Sequence, residues 1–370
     1  MNKKDFADRA LNKILDFEEI DISRARLSSM ALKCNDYQQF YPGFRFLESL
    51  AKWLDQFDTQ EEAKHAFNFI LNKLIYISEY QIRLLVESVF STNMRPALFH
   101  SVASEASIPS HKVTALAQSD LYKEAVKRSL FLGLSDGART DVFRRYNPHL
   151  DNEQVWLTYS VSDEKYKDFA EYLSDKSPAK PTFSHLWLMD DFSASGKSFL
   201  RKENGKWKGK IVKTLSGFLE QESGTRTEEC IKIIADKCHV HIVLFIASYK
   251  AEEYFHKSIK ELWSDKIEFA DRFELPEIII VQKLNYTSLI SEQNGDLEVI
   301  KLIENDAYYD HDHLYNKASA VGGTAEVKYG FAEGRLPLVL GHNTPNNSVS
   351  LLWAFETASF TGLFPRISRH

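Results

Sequence analysis

Two adjacent carboxylates, Asp190 and Asp191, stand where the apolar run Leu186-Trp187-Leu188-Met189 ends, and Ser193, Ser195, Gly196, Lys197 and Ser198 follow directly behind them. Carboxylates accept hydrogen bonds from vicinal hydroxyls, or hold a divalent cation through hard oxygens. A turn of small residues offers backbone N–H groups and hydroxyls to an anion, and a glycine lets the main chain approach it closely. The acids would repel the phosphate that the loop attracts, so the two suit different parts of one ligand. A ribose with a 5′-phosphate fits: its 2′- and 3′-hydroxyls meet the carboxylates, directly or through Mg²⁺, and its phosphate meets the loop. An ATPase P-loop is excluded, because that motif needs glycine at the position held by Asp191.

Such a pair must be carried on the carboxyl end of a strand in an open α/β sheet. The chain supplies candidate strands at Leu130–Leu134, His185–Met189, His239–Ile246 and Glu277–Val281. Helical patterns at Asp163–Leu173 and Ala251–Trp263 separate them. Continuously apolar strands alternating with helices predict a mostly parallel sheet with helices on both faces. Ser135-Asp136-Gly137-Ala138-Arg139 follows the first strand, and the Arg139 fork of donors suits a pyrophosphate, with Arg144 and Arg145 close behind. The plain alternative there is a tight turn with an exposed arginine. The loop through Ser198 is expected to open a helix, whose N-terminus favours anions.

Residues 1–125 read as a helical N-terminal region, and residues 126–370 as the α/β domain with the tail from Lys328 wrapping the sheet. Phe67, Ile70, Leu71 and Leu74 form one helical stripe; Ile82, Leu85, Val86 and Val89 form a second. Ser78 with Gln81 reads as an N-cap and capping box after the short link Tyr76-Ile77-Ser78. A winged-helix DNA binder is a weaker reading, since acidic residues slightly outnumber basic ones there; partner docking or a structural role is favoured.

With 370 residues, 44% hydrophobic, 26% charged and a net charge of -6, the chain reads as an ordered globular protein without a bulk electrostatic pull on nucleic acid. Cys34, Cys230 and Cys238 cannot build a disulfide framework. The charged opening does not read as a signal peptide, and no apolar run is long enough to span a bilayer, so a cytoplasmic protein without a membrane partner is expected. Between Lys197 and Lys213, seven basic residues and Trp207 accompany one acid, a run that either steers polyanions or forms a solvated hairpin. His342–Ser348 reads as a loop. Asp310-His311-Asp312-His313, and His239 with His241, are weak metal candidates.

The stretch Leu186–Ser198 resembles the PRPP-binding motif of type I phosphoribosyltransferases: apolar strand, acidic pair, two variable positions, then a small-residue loop. The resemblance implies that Asp190 and Asp191 act catalytically by holding the ribose hydroxyls and Mg²⁺. Ser193, Ala194, Ser195, Gly196, Lys197 and Ser198 would take the 5′-phosphate, and Ser135, Asp136, Gly137, Ala138 and Arg139 the pyrophosphate. In purine-specific members a carboxylate often stands at the position of Ala194, where alanine cannot do acid–base work. The tail GFAEGRLPLVLGHNTPNNSVSLLW, Trp353, Phe364-Pro365-Arg366, the N-terminal WLDQF and the SDGAR segment are similar to a phosphoribosyltransferase-like family of bacterial conflict systems that includes retron effectors, here called PRTase-CE-like. That resemblance implies an antiphage effector using PRPP or a related nucleotide in glycosyl transfer or cleavage at C1′, with a protein or nucleic-acid partner. The alternative it leaves is a non-catalytic nucleotide sensor or scaffold.

Overall fold

Apolar runs bounded by polar turns become strands where the sequence places them. The computed structural model describes residues 3–15, 17–40, 45–157, 162–222, 232–311, 322–354 and 360–366. Among these the strands are, in chain order, β1 (Ile75–Ile77), β2 (Ser129–Gly133), β3 (Val155–Trp156), β4 (Phe183–Ser193), β5 (Arg201–Glu203), β6 (Lys206–Lys208), β7 (Ile234–Ser248), β8 (Glu277–Leu284) and β9 (Leu338–Leu340). Five of them form one sheet in the order β3-β2-β4-β7-β8, with every neighbouring pair parallel. The four predicted strands are all present in this sheet, and β3 is its one strand without a counterpart in the sequence analysis.

Both faces are covered, as an all-parallel sheet requires. Leu130, Leu132, Leu186, Leu188, Ile242 and Leu244 pack against the helices Asp163–Lys176, Lys210–Glu222 and Tyr249–Asp265 through Phe169, Leu173, Ile211, Leu215, Phe255 and Ile259. On the opposite face Phe131 stacks on Trp187 at 5.9 Å and meets Phe143 and Phe90. Each such ring removed from water contributes about 2–3 kcal/mol. Hydroxyl caps fix the helix starts: Ser248 Oγ accepts from Ala251 N at 3.1 Å, and Ser162 Oγ from Lys165 N at 3.2 Å.

The contacts divide the chain elsewhere than at residue 125. One unit is residues 82–284 and contains the sheet; the other joins residues 1–81 to residues 285–370. The described part of the tail thus groups with the first 81 residues and not with the sheet unit. It packs on the N-terminal helices, because that is where the matching aromatic surface lies. Trp53 Nε1 donates to the Leu351 carbonyl at 3.0 Å, and Phe364 meets Tyr37 edge-on at 5.2 Å and stacks near Phe46. The expected link at Tyr76-Ile77 is β1, paired in parallel with β9. The capping box is formed as read: Ser78 N donates to Gln81 Oε1 at 3.1 Å, and Gln81 N to Ser78 Oγ at 3.3 Å. No helix among the described residues is long and apolar enough to cross a membrane.

In the sheet unit, β2 has β3 on one side and β4 on the other. The chain's direction of winding reverses between β2 and β4, and in open α/β sheets the crevice at such a switch, beyond the carboxyl ends, is where ligands bind.

Candidate functional site

Both predicted segments lie at that crevice. β2 and β4 run in register up to Gly133 opposite Met189; there the chain leaves β2 for Ser135–Arg139, while β4 continues beside β7 through Asp190 to Ser193 before its own loop begins at Ala194. Alternation along β4 sends successive side chains to opposite faces, and the two carboxylates have different surroundings as a result.

Asp190 is 1% exposed and its oxygens are engaged on three sides. Oδ1 accepts from Ser135 Oγ and from Asp191 N at 3.0 Å; Oδ2 accepts from Lys210 Nζ at 2.6 Å. Burial, and next the Asp191 charge, push its carboxyl up to about 6, while Lys210 and Ser135 pull the other way. Asp190 thus ties the Ser135–Arg139 loop, the strand and the start of helix Lys210–Glu222 together. Asp191 is half-buried, and its carboxylate lies against the Gly137 backbone: a Cβ at Gly137 would sit 2.4 Å from Asp191 Oδ2. Glycine at 137 is what lets loop and carboxylate share this edge.

In the first loop Asp136 is exposed, Ala138 buried and Arg139 half-buried with a left-handed φ of 48°. Arg144 and Arg145 are exposed on the helix Thr140–Tyr146. In the second loop Ser193 and Ala194 are buried and form its base, whereas Ser195 and Lys197 are half-buried and Ser198 is exposed. Ser193 Oγ accepts from Gly196 N at 3.2 Å, Ser195 Oγ from Lys197 N at 3.4 Å, and the Ala194 carbonyl accepts from Ser248 Oγ at 2.5 Å. The loop's own hydroxyls thus hold the amides that the resemblance offers to a phosphate. Gly196 adopts φ +72°, and a Cβ there would lie 2.6 Å from Tyr254 Cδ1.

The loop does not open a helix. The hairpin β5–β6 intervenes, turning at Asn204 and Gly205 with positive φ at both, and the helix begins only at Lys210. The basic run folds as that hairpin and the start of the following helix. Sequence reasoning missed Lys210, Ser248 and Tyr254; the only signal for Lys210 was its place in that run.

Histidines 239 and 241 do not converge on a metal. Parallel register sets His185 beside His239 and Trp187 beside His241, giving stacked rings at 4.8 and 3.9 Å, and His241 Nδ1 bonds Glu277 Oε2 at 3.0 Å. Among the described residues no group of three or more His, Cys, Asp or Glu is arranged to hold a metal. Asp312, His313 and Cys230 lie outside the described residues. For Mg²⁺, Asp190 Oδ2 is held by Lys210 and Oδ1 by Ser135 and the Asp191 amide, and Asp191 is the other carboxylate at this edge. That donor set fits a cation carried mainly by ligand phosphates, the usual habit of Mg²⁺, and not one caged by protein. A cavity of about 390 Å³ in the other unit, beside Gln39, Trp53 and Gln56, has Lys52 as its charged group and no carboxylate.

A parallel sheet with an acidic pair and two short loops at its switch point defines a phosphoribosyltransferase-like α/β protein. The family model PRTase-CE matches residues 50–366, and the chain belongs to that family. No curated protein and no solved structure is significantly similar to it.

Proposed function

We propose that the crevice binds PRPP or a related ribose-5-phosphate nucleotide with Mg²⁺ and acts by glycosyl transfer or cleavage at C1′. The observation that carries this is the meeting of the two loops: Ser135 bonds Asp190, and Gly137 lies against Asp191. On this reading Asp191 receives the ribose hydroxyls, and Ser195 to Ser198 release their internal bonds to take the 5′-phosphate. The Ser135–Arg139 loop takes the pyrophosphate. Mg²⁺ would offset pyrophosphate charge, with Asp191 as its protein contact. The C1′–O bond to pyrophosphate breaks and its electron pair departs with pyrophosphate; the acceptor forms the new C1′ bond and gives up a proton. Fixed donors around the departing anion lower the barrier without reorganisation. The family likeness supports an effector role in bacterial antiphage defence of the retron type, in the cytoplasm and with a protein or nucleic-acid partner.

A second reading is a nucleotide sensor or scaffold without turnover. Two observations favour it: Ala194 has no acid–base function, and Lys210 already occupies Asp190. Calorimetric titration with PRPP and Mg²⁺, with ADP-ribose and AMP as controls, tests binding in the wild type and in Asp191→Asn. PRPP binding lost in the variant supports the site, and pyrophosphate release by the wild type alone supports catalysis. Absence of PRPP binding, or binding unchanged in Asp191→Asn, overturns the proposal.

A further inference from the structure

The helix that reaches Val89 does not stop there. It continues into the helix Arg95–Ala103 through a single π-turn, Phe90–Met94, in which Arg95 N donates to the Phe90 carbonyl five residues back. Pro96 follows at once and has no N–H to give. Turns of this width are rare and often stand at functional sites.

Three side chains meet around this turn, all within the sheet unit. The Arg95 guanidinium lies over the Phe90 ring, 5.7 Å from its centroid, and the His149 ring meets the same ring edge-on at 4.7 Å. Tyr122 bonds Arg95 through its hydroxyl. Phe90 is buried, Arg95 and Tyr122 are half-buried, and His149 keeps a side open to solvent.

The charge there is of one sign. Arg95 Nε is shielded from solvent and has no acceptor. Among the described residues no carboxylate pairs with Arg95 or with His149. Burial, and next the Arg95 charge, hold His149 below its usual range, so the two basic groups oppose each other across one ring. A half-buried guanidinium without a counter-charge is costly, and an anion entering on the open side of His149 removes that cost.

The donors select the anion. A phosphate has three free oxygens for a guanidinium, an imidazole and a hydroxyl, whereas a carboxylate has two. We propose that Arg95, His149 and Tyr122 form a binding site for a phosphate group, separate from the crevice and independent of the reading given for it.

The test follows the His149 imidazole signals of the full chain by NMR, identified as those missing from His149→Gln. Inorganic phosphate and ribose 5-phosphate are the probes, each compared with chloride at equal ionic strength. Bound phosphate favours the imidazolium, so the His149 titration midpoint rises with the probe that binds. Which probe does so tells a free anion from an esterified one. Arg95→Gln starts from a higher midpoint, because the opposing charge is gone, and binds the probe about tenfold more weakly or worse; its other histidine signals report that it folds. Asp191→Asn keeps the wild-type response. The site is overturned if neither probe moves the midpoint, if Arg95→Gln responds like the wild type, or if Asp191→Asn abolishes the response, which would return the phosphate to the crevice.

Discussion

Lys210 Nζ lies 2.6 Å from Asp190 Oδ2, so a residue from the helix after the hairpin neutralises the buried carboxylate at the end of β4. Lys210→Met leaves that carboxylate buried with only Ser135 and its neighbouring amide. At pH 8 the expected loss is about 3 kcal/mol, the range for breaking one side of a buried pair. Near pH 5 the loss shrinks, because Asp190 takes up a proton. Lys210→Arg retains most of the stability. Urea midpoints at the two pH values decide this, and an equal loss at both would show that Lys210 acts through its alkyl stem instead.

Two buried groups give opposite pH signatures. Asp190 is raised from 3.8 to about 6, so the folded chain holds a proton that the unfolded chain has released; through this group stability falls as pH rises across that window, by order 1–3 kcal/mol. His185 is held well below its usual range, first by burial and then by His241, His239 and Arg128. Here the unfolded chain takes the proton, so stability is lost as pH falls below about 6.5. Subtracting the pH–stability profile of Asp190→Asn, and separately that of His185→Gln, from the wild-type profile should give slopes of opposite sign.

Gly137→Ala places a methyl where the Asp191 carboxylate lies, at 2.4 Å in the unrelaxed geometry. The loop or the carboxylate must shift. PRPP affinity is expected to drop roughly 10–100-fold, the scale for a misplacement of about 1 Å, with an unfolding midpoint close to that of the wild type. Unchanged affinity would mean that this edge does not meet the ligand.

Gly196→Ala meets two penalties, a left-handed φ of +72° and a contact of 2.6 Å with Tyr254. About 1–2 kcal/mol is expected from the backbone alone. Combining it with Tyr254→Ala relieves the clash but not the strain, so the double variant should lose less than the sum of the singles. Strict additivity in thermal melts would place the whole cost in the backbone.

The sheet and its acidic pair were legible because they are local. Leu186–Met189 is an unbroken apolar run followed at once by two acids, and the other three long strands each carry an apolar run of their own. β3, with only Val155 and Trp156, is too short to carry a periodic signal. Tyr76 and Ile77 read as a linker because their partner, β9, is far along the chain, and the tail's destination is hidden for the same reason. The different fates of Asp190 and Asp191 depend on Lys210 and on Gly137, one from the segment after the hairpin and the other from the loop after β2; adjacency in sequence suggested a single role for both.

The pairing of β1 with β9 has a consequence for biosynthesis. A ribosome delivers the whole of residues 82–284 before Leu338 exists, so the sheet unit can reach its fold while β1 still has no partner strand. The unit that joins residues 1–81 to residues 285–370 is completed later and rests on contacts of high sequence separation, which form slowly. Nascent chains stalled short of residue 338 should therefore protect the sheet from protease while leaving the N-terminal helices open to cleavage, and a chaperone would find its work at the start of this protein, not in the middle.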